Sequence, residues 1–328
     1  AILEGKRRFV VRDAPEPVLD EGEVLIKVQY CGICGSDLPT YIEGVPARQG
    51  HEFSGDIVEV GPSVTGWKGG DRVTAECISS CGECYWCIRG EPGLCQDFDM
   101  TWFQRAGGFA TYTKARYDIL HRIPADVSYE EAALVEPTAI ALHAVRLSEM
   151  GVGDVVAVLG LGPIGQLAAR LAKISGAIAV YATEASQSRL DLARGVVDEV
   201  VDANAVNPVD RILELTGGRG PDVVLECAGA ISTTQQLMPL VRKGGTIVIT
   251  AVCLYPVELL VSSIALRELT VKGSMCFYPG EFATALNLIR DKKIDVAPLM
   301  TCEMPLDDID EAFEKAARGE GGKILIRP

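Results

Sequence analysis

Val155-Val-Ala-Val-Leu-Gly160-Leu-Gly162-Pro-Ile-Gly165-Gln-Leu-Ala-Ala169 is the stretch that decides the fold. Val155–Leu159 is an unbroken apolar run that predicts a buried strand, and Ile164–Ile174 repeats apolar residues at helical spacing. Between them, Gly160, Gly162 and Gly165 form G-x-G-x-x-G at a strand-to-helix turn. There the first glycine permits the tight turn, the second lets backbone approach a pyrophosphate, and the third lets the helix pack closely on the strand. The helix start, at Pro163 and Ile164, offers unpaired N–H groups and partial positive charge to phosphates. Glu184 follows Gly165 by 19 residues, at the end of the next strand. A carboxylate at that place accepts hydrogen bonds from both ribose hydroxyls and repels a 2′-phosphate. The expectation is a dinucleotide site that takes NAD. Arg189 leaves NADP open, because a nearby arginine serves a 2′-phosphate.

Outward from this turn the pattern alternates. Ile178–Ala182, Val223–Glu226, Thr246–Thr250 and Leu269–Lys272 read as strands, and Ser186–Ala193 as a helix. Strand-helix alternation predicts a parallel, doubly wound sheet of Rossmann type. Upstream, residues 1–135 hold short alternating strands such as Val24–Tyr30 and Gly55–Val60, with Gly61-Pro62 and Gly69-Gly70 as turns. Glu131–Arg146 is Ala- and Leu-rich at helical spacing. The tail predicts helices over Phe282–Ile289 and Ile309–Ala317 and a strand over Lys323–Ile326. The fold class expected is α/β: a β-rich domain over 1–137, a doubly wound domain over 138–279, and a return to the first over 280–328.

Composition narrows the function by exclusion. The chain has 328 residues, 48% of them hydrophobic, which suits about two globular domains. A net charge of −14 argues against nucleic acid as a partner, because phosphate binding needs a basic patch. No apolar run approaches the roughly 20 residues needed to span a bilayer, so no membrane partner is expected. No charged-then-apolar leader opens the sequence, and a cytoplasmic location is expected. The first residue is Ala1, so an initiator and a few residues are open to precede it.

Cys81, Cys84, Cys87 and Cys95 are spaced C-x2-C-x2-C-x7-C. Four thiolates this close wrap one tetrahedral zinc with no open position, a site that builds structure and performs no chemistry. Cys77 breaks the spacing and is left out of the set, though the lobe is taken as 77–95. Cys227, Cys253, Cys276 and Cys302 lie among apolar neighbours and read as small buried side chains. Upstream, Cys34 sits in the turn-rich Cys31-Gly-Ile-Cys34-Gly-Ser36-Asp37, and His51-Glu52 follows Gly50. The chain has three histidines. Residue types alone leave His51 open between metal ligand and structural side chain.

Taken in order, Cys-Gly-Ile-Cys-Gly-Ser-Asp, Gly50-His-Glu-Phe-Ser-Gly55, the four-cysteine lobe, Val135-Glu-Pro137 and Gly160-Leu-Gly-Pro-Ile-Gly165 resemble the zinc-dependent medium-chain alcohol dehydrogenases. The resemblance runs through the ending Gly322-Lys-Ile-Leu-Ile-Arg-Pro328. Ala133-Leu-Val-Glu136-Pro-Thr-Ala139 is most similar to the polyol and butanediol branch, where liver and yeast types place a third cysteine instead of Glu136. The resemblance implies a GroES-like catalytic domain, NAD and two zinc ions per chain, one catalytic and one structural. It implies that Cys34, His51 and Glu136 surround the catalytic zinc, with Glu52 a further or transient ligand. In sorbitol dehydrogenases the glutamate beside the histidine binds directly and a water bridges to the later one, so the choice between Glu52 and Glu136 stays open. It also implies that Asp37 hydrogen-bonds the zinc-bound histidine and fixes its orientation.

The mechanism implied is loss of a proton from an alcohol through Ser36 and hydride transfer to NAD. The family often ends its proton relay at a histidine where this chain has Pro39, so the relay would pass to a ribose hydroxyl and water, or to another side chain. Gly35 replaces a basic residue of the liver type. The implied substrate is a secondary alcohol, diol or polyol. A sugar or L-threonine-type dehydrogenase and, from another class, a non-catalytic NAD(H)-binding sensor are the alternatives. Trp102, Phe103 and Phe109 are open between substrate lining and core packing. Relatives imply a homo-oligomer, dimer or tetramer, and the apolar stretch Val252–Ile264 is open between interface and core.

Overall fold

The computed structural model describes residues 1–78, 80–98 and 107–328, so Trp102 and Phe103 lie outside the described residues. Two compact units divide the chain: Ala1–Glu136 with Tyr278–Pro328, and Pro137–Phe277.

The first unit opens with a ribbon of β1 (Ile2–Gly5) and β2 (Arg8–Val10). Strands β3 (Glu23–Gly32), β4 (Glu52–Val60), β5 (Arg72–Ala75), β6 (Tyr112–Arg116) and β7 (Leu120–Arg122) then build most of a seven-stranded sheet. Central β3 buries Val24, Leu25, Ile26, Val28 and Cys31, because it is paired on both sides and covered on both faces. Helix α1 (Asp37–Glu43) follows β3 and stops at Gly44, whose φ of 73° is left-handed. A short α2 (Tyr85–Ile88) lies within the cysteine lobe.

The helix expected over 131–146 is two helices, α3 (Tyr129–Ala133) and α4 (Val135–Leu147). Pro137 explains the break: it has no N–H to give the Ala133 carbonyl, and its ring crowds that carbonyl. The same residue is tolerated in the first turn of α4, where N–H groups have no partner within the helix. Ser128 opens α3 with a reciprocal cap, its Oγ accepting from Glu131 N at 3.1 Å and Glu131 accepting from Ser128 N at 3.0 Å.

In the second unit β8 (Val155–Leu159), α5 (Pro163–Ile174), β9 (Ala179–Glu184), α6 (Gln187–Ala193), β10 (Glu199–Asp202), α7 (Pro208–Leu215), β11 (Val223–Glu226), α8 (Ile231–Leu240), β12 (Thr246–Ile249), α9 (Ser262–Leu266) and β13 (Thr270–Gly273) alternate. The strands are all parallel, in the order β10-β9-β8-β11-β12-β13. The order reverses between β8 and β11, and a doubly wound sheet binds its ligand at the carboxyl ends of the strands at such a point. Ala157, Leu159, Val224 and Ile247 of the sheet pack with Ile212 and Leu237 of the helices.

The chain then re-enters the first unit with α10 (Glu281–Arg290), β14 (Met300–Pro305), α11 (Ile309–Ala317) and β15 (Lys323–Arg327). Strand β15 sits between β14 and β3, with Leu325 opposite Gly32 and Ile326 opposite Cys31. Phe313 of α11 packs its ring 4.8 Å from Phe9, 4.9 Å from Tyr41 and 5.6 Å from Phe109. Phe109 is therefore core, at 1% exposure.

Candidate functional site

The glycine turn has the geometry its spacing predicts. Gly160, at φ 91°, lies so near the β11–α8 loop that a methyl there would meet Ala228 Cβ at 2.6 Å. A methyl on Gly165 would strike the Gly160 carbonyl at 1.9 Å. Gly162 is the residue before α5, whose first position is Pro163, followed by Ile164. Glu184 ends β9, with one oxygen accepting from Leu161 N at 2.8 Å and the other from Ala185 N at 2.7 Å and Ser186 N at 2.9 Å. These three donors pin the carboxylate to the turn. The Arg189 guanidinium stands near the same turn, 3.6 Å from where a Gly162 methyl would be.

The four cysteines of the lobe converge. Sulfur separations are 3.9 Å for Cys81–Cys87, 3.6 Å for Cys84–Cys87, 3.8 Å for Cys84–Cys95 and 3.6 Å for Cys95–Cys81. A ZnS4 tetrahedron with bonds of about 2.3 Å has edges of about 3.8 Å. The donor set therefore fits zinc. Backbone N–H groups of Cys81 and Cys84 point at Cys95 and Cys81 sulfur, at 3.4 and 3.3 Å. N–H bonds from Gln96 and Cys87 favour the Cys84 thiolate and draw its pKa down to about 6.

A second cluster forms where β3 runs into α1 and β4 begins. Gly32 is opposite Glu52 in the β3–β4 ladder, which brings the loop carrying Cys34 beside His51. The ligand atoms of Cys34, His51 and Glu52 lie within 4.8 Å of one another. Ser36 Oγ donates to Cys34 Sγ at 3.2 Å. Asp37 Oδ2 accepts from Cys34 N at 3.0 Å, while Oδ1 stands 3.8 Å from His51 Nδ1. That is an ion-pair separation, longer than the expected hydrogen bond. Glu136, in the first turn of α4, is outside the three-residue group. It is hydrogen-bonded to Cys77 and acts on His51 electrostatically. Cys77, set aside in the four-cysteine spacing, thus belongs to this second neighbourhood.

Charge explains what the cluster wants. Asp37, Glu52 and Glu136 are 5%, 0% and 3% exposed. Burial raises the carboxyl pKa of Asp37 and of Glu136. Burial alone would lower the His51 pKa, but Cys34, Asp37 and Glu136 outweigh it and push it well above the usual value. Three carboxyls and a sulfur near one imidazole outnumber the basic groups of the pocket even with the Lys323 ammonium on Glu52, an excess of acidic groups that favours a cation. A sulfur, an imidazole nitrogen and a carboxylate oxygen are a donor set that zinc accepts with one position left for substrate.

Sequence reasoning missed Lys323, the first residue of β15. Its Nζ donates to Glu52 Oε1 at 2.7 Å, to Glu52 Oε2, and to the Ile33 carbonyl at 3.1 Å. The clue in the sequence was a lysine at the head of the apolar run Ile324-Leu-Ile326, in a strand buried along nearly its whole length.

Comparison with known proteins shows the family of the chain. Residues 20–125 match the alcohol dehydrogenase GroES-like domain, and residues 163–291 match the zinc-binding dehydrogenase family. A sorbitol dehydrogenase of Halalkalibacterium halodurans is 39% identical, over 99% of this chain and 97% of its own. The (R,R)-butanediol dehydrogenase of Bacillus subtilis is 36% identical, over 95% and 94%. A zinc-binding dehydrogenase from Sinorhizobium meliloti, solved bound to NADP, superposes with a TM-score of 0.93 at 33% identity, covering 100% of this chain and 98% of that one.

Proposed function

The chain belongs to the zinc-binding dehydrogenases with an alcohol dehydrogenase GroES-like domain, and on that footing we propose that it is an oxidoreductase interconverting a secondary alcohol, diol or polyol with its carbonyl product. The observation that carries the reading is the convergence of Cys34, His51 and Glu52 beside the Ser36 hydroxyl. The names of the sorbitol and butanediol relatives support a polyhydroxylated or vicinal-diol substrate.

Cys34, His51 and Glu52 would hold the catalytic zinc, with Glu136 close by, and Cys81, Cys84, Cys87 and Cys95 the structural one. Zinc supplies the Lewis acid that acidifies an alcohol, and the nicotinamide supplies the hydride acceptor. The chain's own part is to orient and to move a proton. Ser36 is exposed and hydrogen-bonded to the Cys34 sulfur, so it is the proposed first proton acceptor on the way to solvent. Pro39 carries no proton, and the relay would end at a ribose hydroxyl and water, or at another side chain. Asp37 anchors the Cys34 backbone and steadies the imidazole through charge.

NAD is the proposed coenzyme. The Glu184 carboxylate, pinned by three backbone N–H groups, is poorly placed to move aside for a 2′-phosphate. The NADP-bound relative and the nearby Arg189 make the NAD-to-NADP ratio a necessary measurement. Self-association is proposed through the second unit, where Leu254, Tyr255, Leu260, Val261 and Leu266 are exposed in the stretch that leads into the end strand β13. Eleven cysteines with no disulfide among them suit a reducing compartment such as the cytoplasm. Among the described residues no helix is long and apolar enough to cross a membrane.

The test is zinc content per chain together with reduction of NAD and NADP on 2,3-butanediol, sorbitol, L-threonine, ethanol and isopropanol. Two zinc ions and fastest turnover on a diol or polyol with NAD support the reading. One zinc, no turnover and retained NADH binding would overturn it in favour of a coenzyme-binding sensor.

A further inference from the structure

Glu226 ends β11 at 0% exposure, and it takes no part in the chemistry ascribed to Ser36 and the zinc-ligand residues. Its Oε1 accepts from Ala228 N at 3.1 Å, Gly229 N at 3.0 Å and Thr233 Oγ1 at 2.7 Å, and its Oε2 from Gly229 N at 3.2 Å. A carboxyl taken out of water needs such donors. The bonds shape the β11–α8 loop and tie it to the first turn of α8, to which Ala230 gives no side-chain cap. Gly229, at φ 67°, takes the left-handed conformation that this tight loop requires.

The loop abuts the glycine turn. Cys227 N donates to the Leu159 carbonyl at 2.9 Å. A methyl on Gly160 would meet Ala228 N and Cα, each at 3.0 Å, as well as its Cβ. A methyl on Gly165 would come within 3.4 Å of Cys227 Cβ. Two carboxylates therefore flank the turn, and they act differently. Glu184 is half-buried and bonds Leu161 N of the turn directly. Glu226 has no surface to offer a ligand, and it reaches the turn only through Ala228.

We propose that Glu226 is a positioning residue for the coenzyme: its carboxylate holds the β11–α8 loop against Gly160, and so holds the glycine turn in the form that receives a pyrophosphate. This rests on the reading of that turn as the dinucleotide site. With the acceptor oxygens gone, the Ala228 and Gly229 N–H groups and the Thr233 hydroxyl are left without their partner. The loop then shifts to find others, and Gly160 loses the wall it packs on. The weakening falls on the part of the coenzyme that carries the pyrophosphate.

The experiment titrates wild type, Glu226→Met, Glu226→Gln and Thr233→Val, each the zinc-loaded full chain, with NADH, NADPH and ADP-ribose well below the melting temperature. Glu226→Met should bind NADH and ADP-ribose at least about tenfold more weakly, by factors that agree within about two. In steady state the loss should fall on the KM for coenzyme more than on kcat. Glutamine keeps one oxygen that can take the three donors of Oε1, so Glu226→Gln should stay within about threefold of wild type. Thr233→Val removes one of those donors and should weaken both ligands about threefold. Glu226→Met that melts lower but binds within about twofold of wild type overturns the proposal, because the carboxylate then serves stability alone. Loss for NADH without loss for ADP-ribose overturns it as well, because the loop then serves the nicotinamide end. If Glu226→Met does not fold, Thr233→Val carries the comparison, and unchanged binding there overturns it. Wild type that bound neither NADH nor NADPH would instead sink the dinucleotide reading itself.

Discussion

The four-cysteine lobe and the Cys34–His51–Glu52 cluster both gather ligand atoms to metal-binding separations, and they do so by opposite means. The lobe draws its donors from residues 81 to 95, using one loop and one short helix, and its four sulfurs form a closed tetrahedron. The mixed cluster takes donors from two segments, on either side of α1, that meet through the β3–β4 ladder. Behind it stands a lysine 271 residues from Glu52 in sequence. A local set of identical soft ligands leaves no room for substrate. A set assembled across a sheet can be left one ligand short and surrounded by opposing charges, which is what chemistry at a metal requires.

The sharpest way to break this contrast is to remove one cysteine from each cluster. Cys34→Ser should lower kcat by about a thousandfold or more and remove one zinc, while lowering the melting temperature less than loss of a lobe cysteine does. Cys87→Ser should also remove one zinc, but lower the melting temperature by several degrees, because about 1 kcal/mol corresponds to roughly 2–4 °C in a domain of this size. Metal analysis, thermal melts and turnover on the best alcohol of the panel give all three readouts. If both variants lost activity and stability in equal measure, the division between a structural and a reacting site would be wrong.

A finer cut lies within the mixed cluster. Ser36 touches the Cys34 sulfur but is not among the grouped metal-ligand candidates. Ser36→Ala should reduce kcat by about a hundredfold, the lower range for loss of a proton-transfer group. Coenzyme affinity, read by fluorescence titration with NADH, should stay within a factor of two or so, and zinc content should not change. Normal turnover would remove Ser36 from the proton path.

The same contrast explains how much was legible in the sequence. Local features were. The Val155–Leu159 strand, the glycine turn and the convergence of Cys81, Cys84, Cys87 and Cys95 follow from spacing over a few residues. The α/β class followed from the alternation after Gly160. What spacing did not give depends on partners far along the chain. Lys323 looked like an ordinary strand residue, because only the β15–β3 pairing brings it to Glu52. The family resemblance left open whether Glu52 or Glu136 is the third direct ligand, whereas the fold groups Glu52 with Cys34 and His51 and ties Glu136 to Cys77. The break at Leu134 was missed because helical spacing outweighed the one residue, Pro137, that forbids a continuous hydrogen-bond ladder.

The smallest expected effect is a pH dependence confined to the mixed cluster. Burial raises the carboxyl pKa of Asp37 and Glu136 above the ordinary range. A folded-state carboxyl with a raised pKa binds its proton more tightly than the unfolded chain does. Stability of the metal-free protein therefore falls as pH climbs from the ordinary carboxyl value, near 4, toward the raised one, and stays lower above it. Lys323, whose pKa is raised by Glu52, Cys34 and Glu136 against the opposing effect of burial, remains charged throughout. A cation bound to Cys34, His51 and Glu52 offsets the burden of the neighbouring carboxylates, and its ligands must also be deprotonated to hold it. The gain from zinc should thus widen by a few degrees between pH 5 and pH 8. Melts of stripped and reloaded protein in the Cys87→Ser background, where the lobe is silenced, measure that gap. A gap that narrowed with rising pH would mean that the buried carboxyls are satisfied without a metal, and that the second cluster is as self-contained as the first.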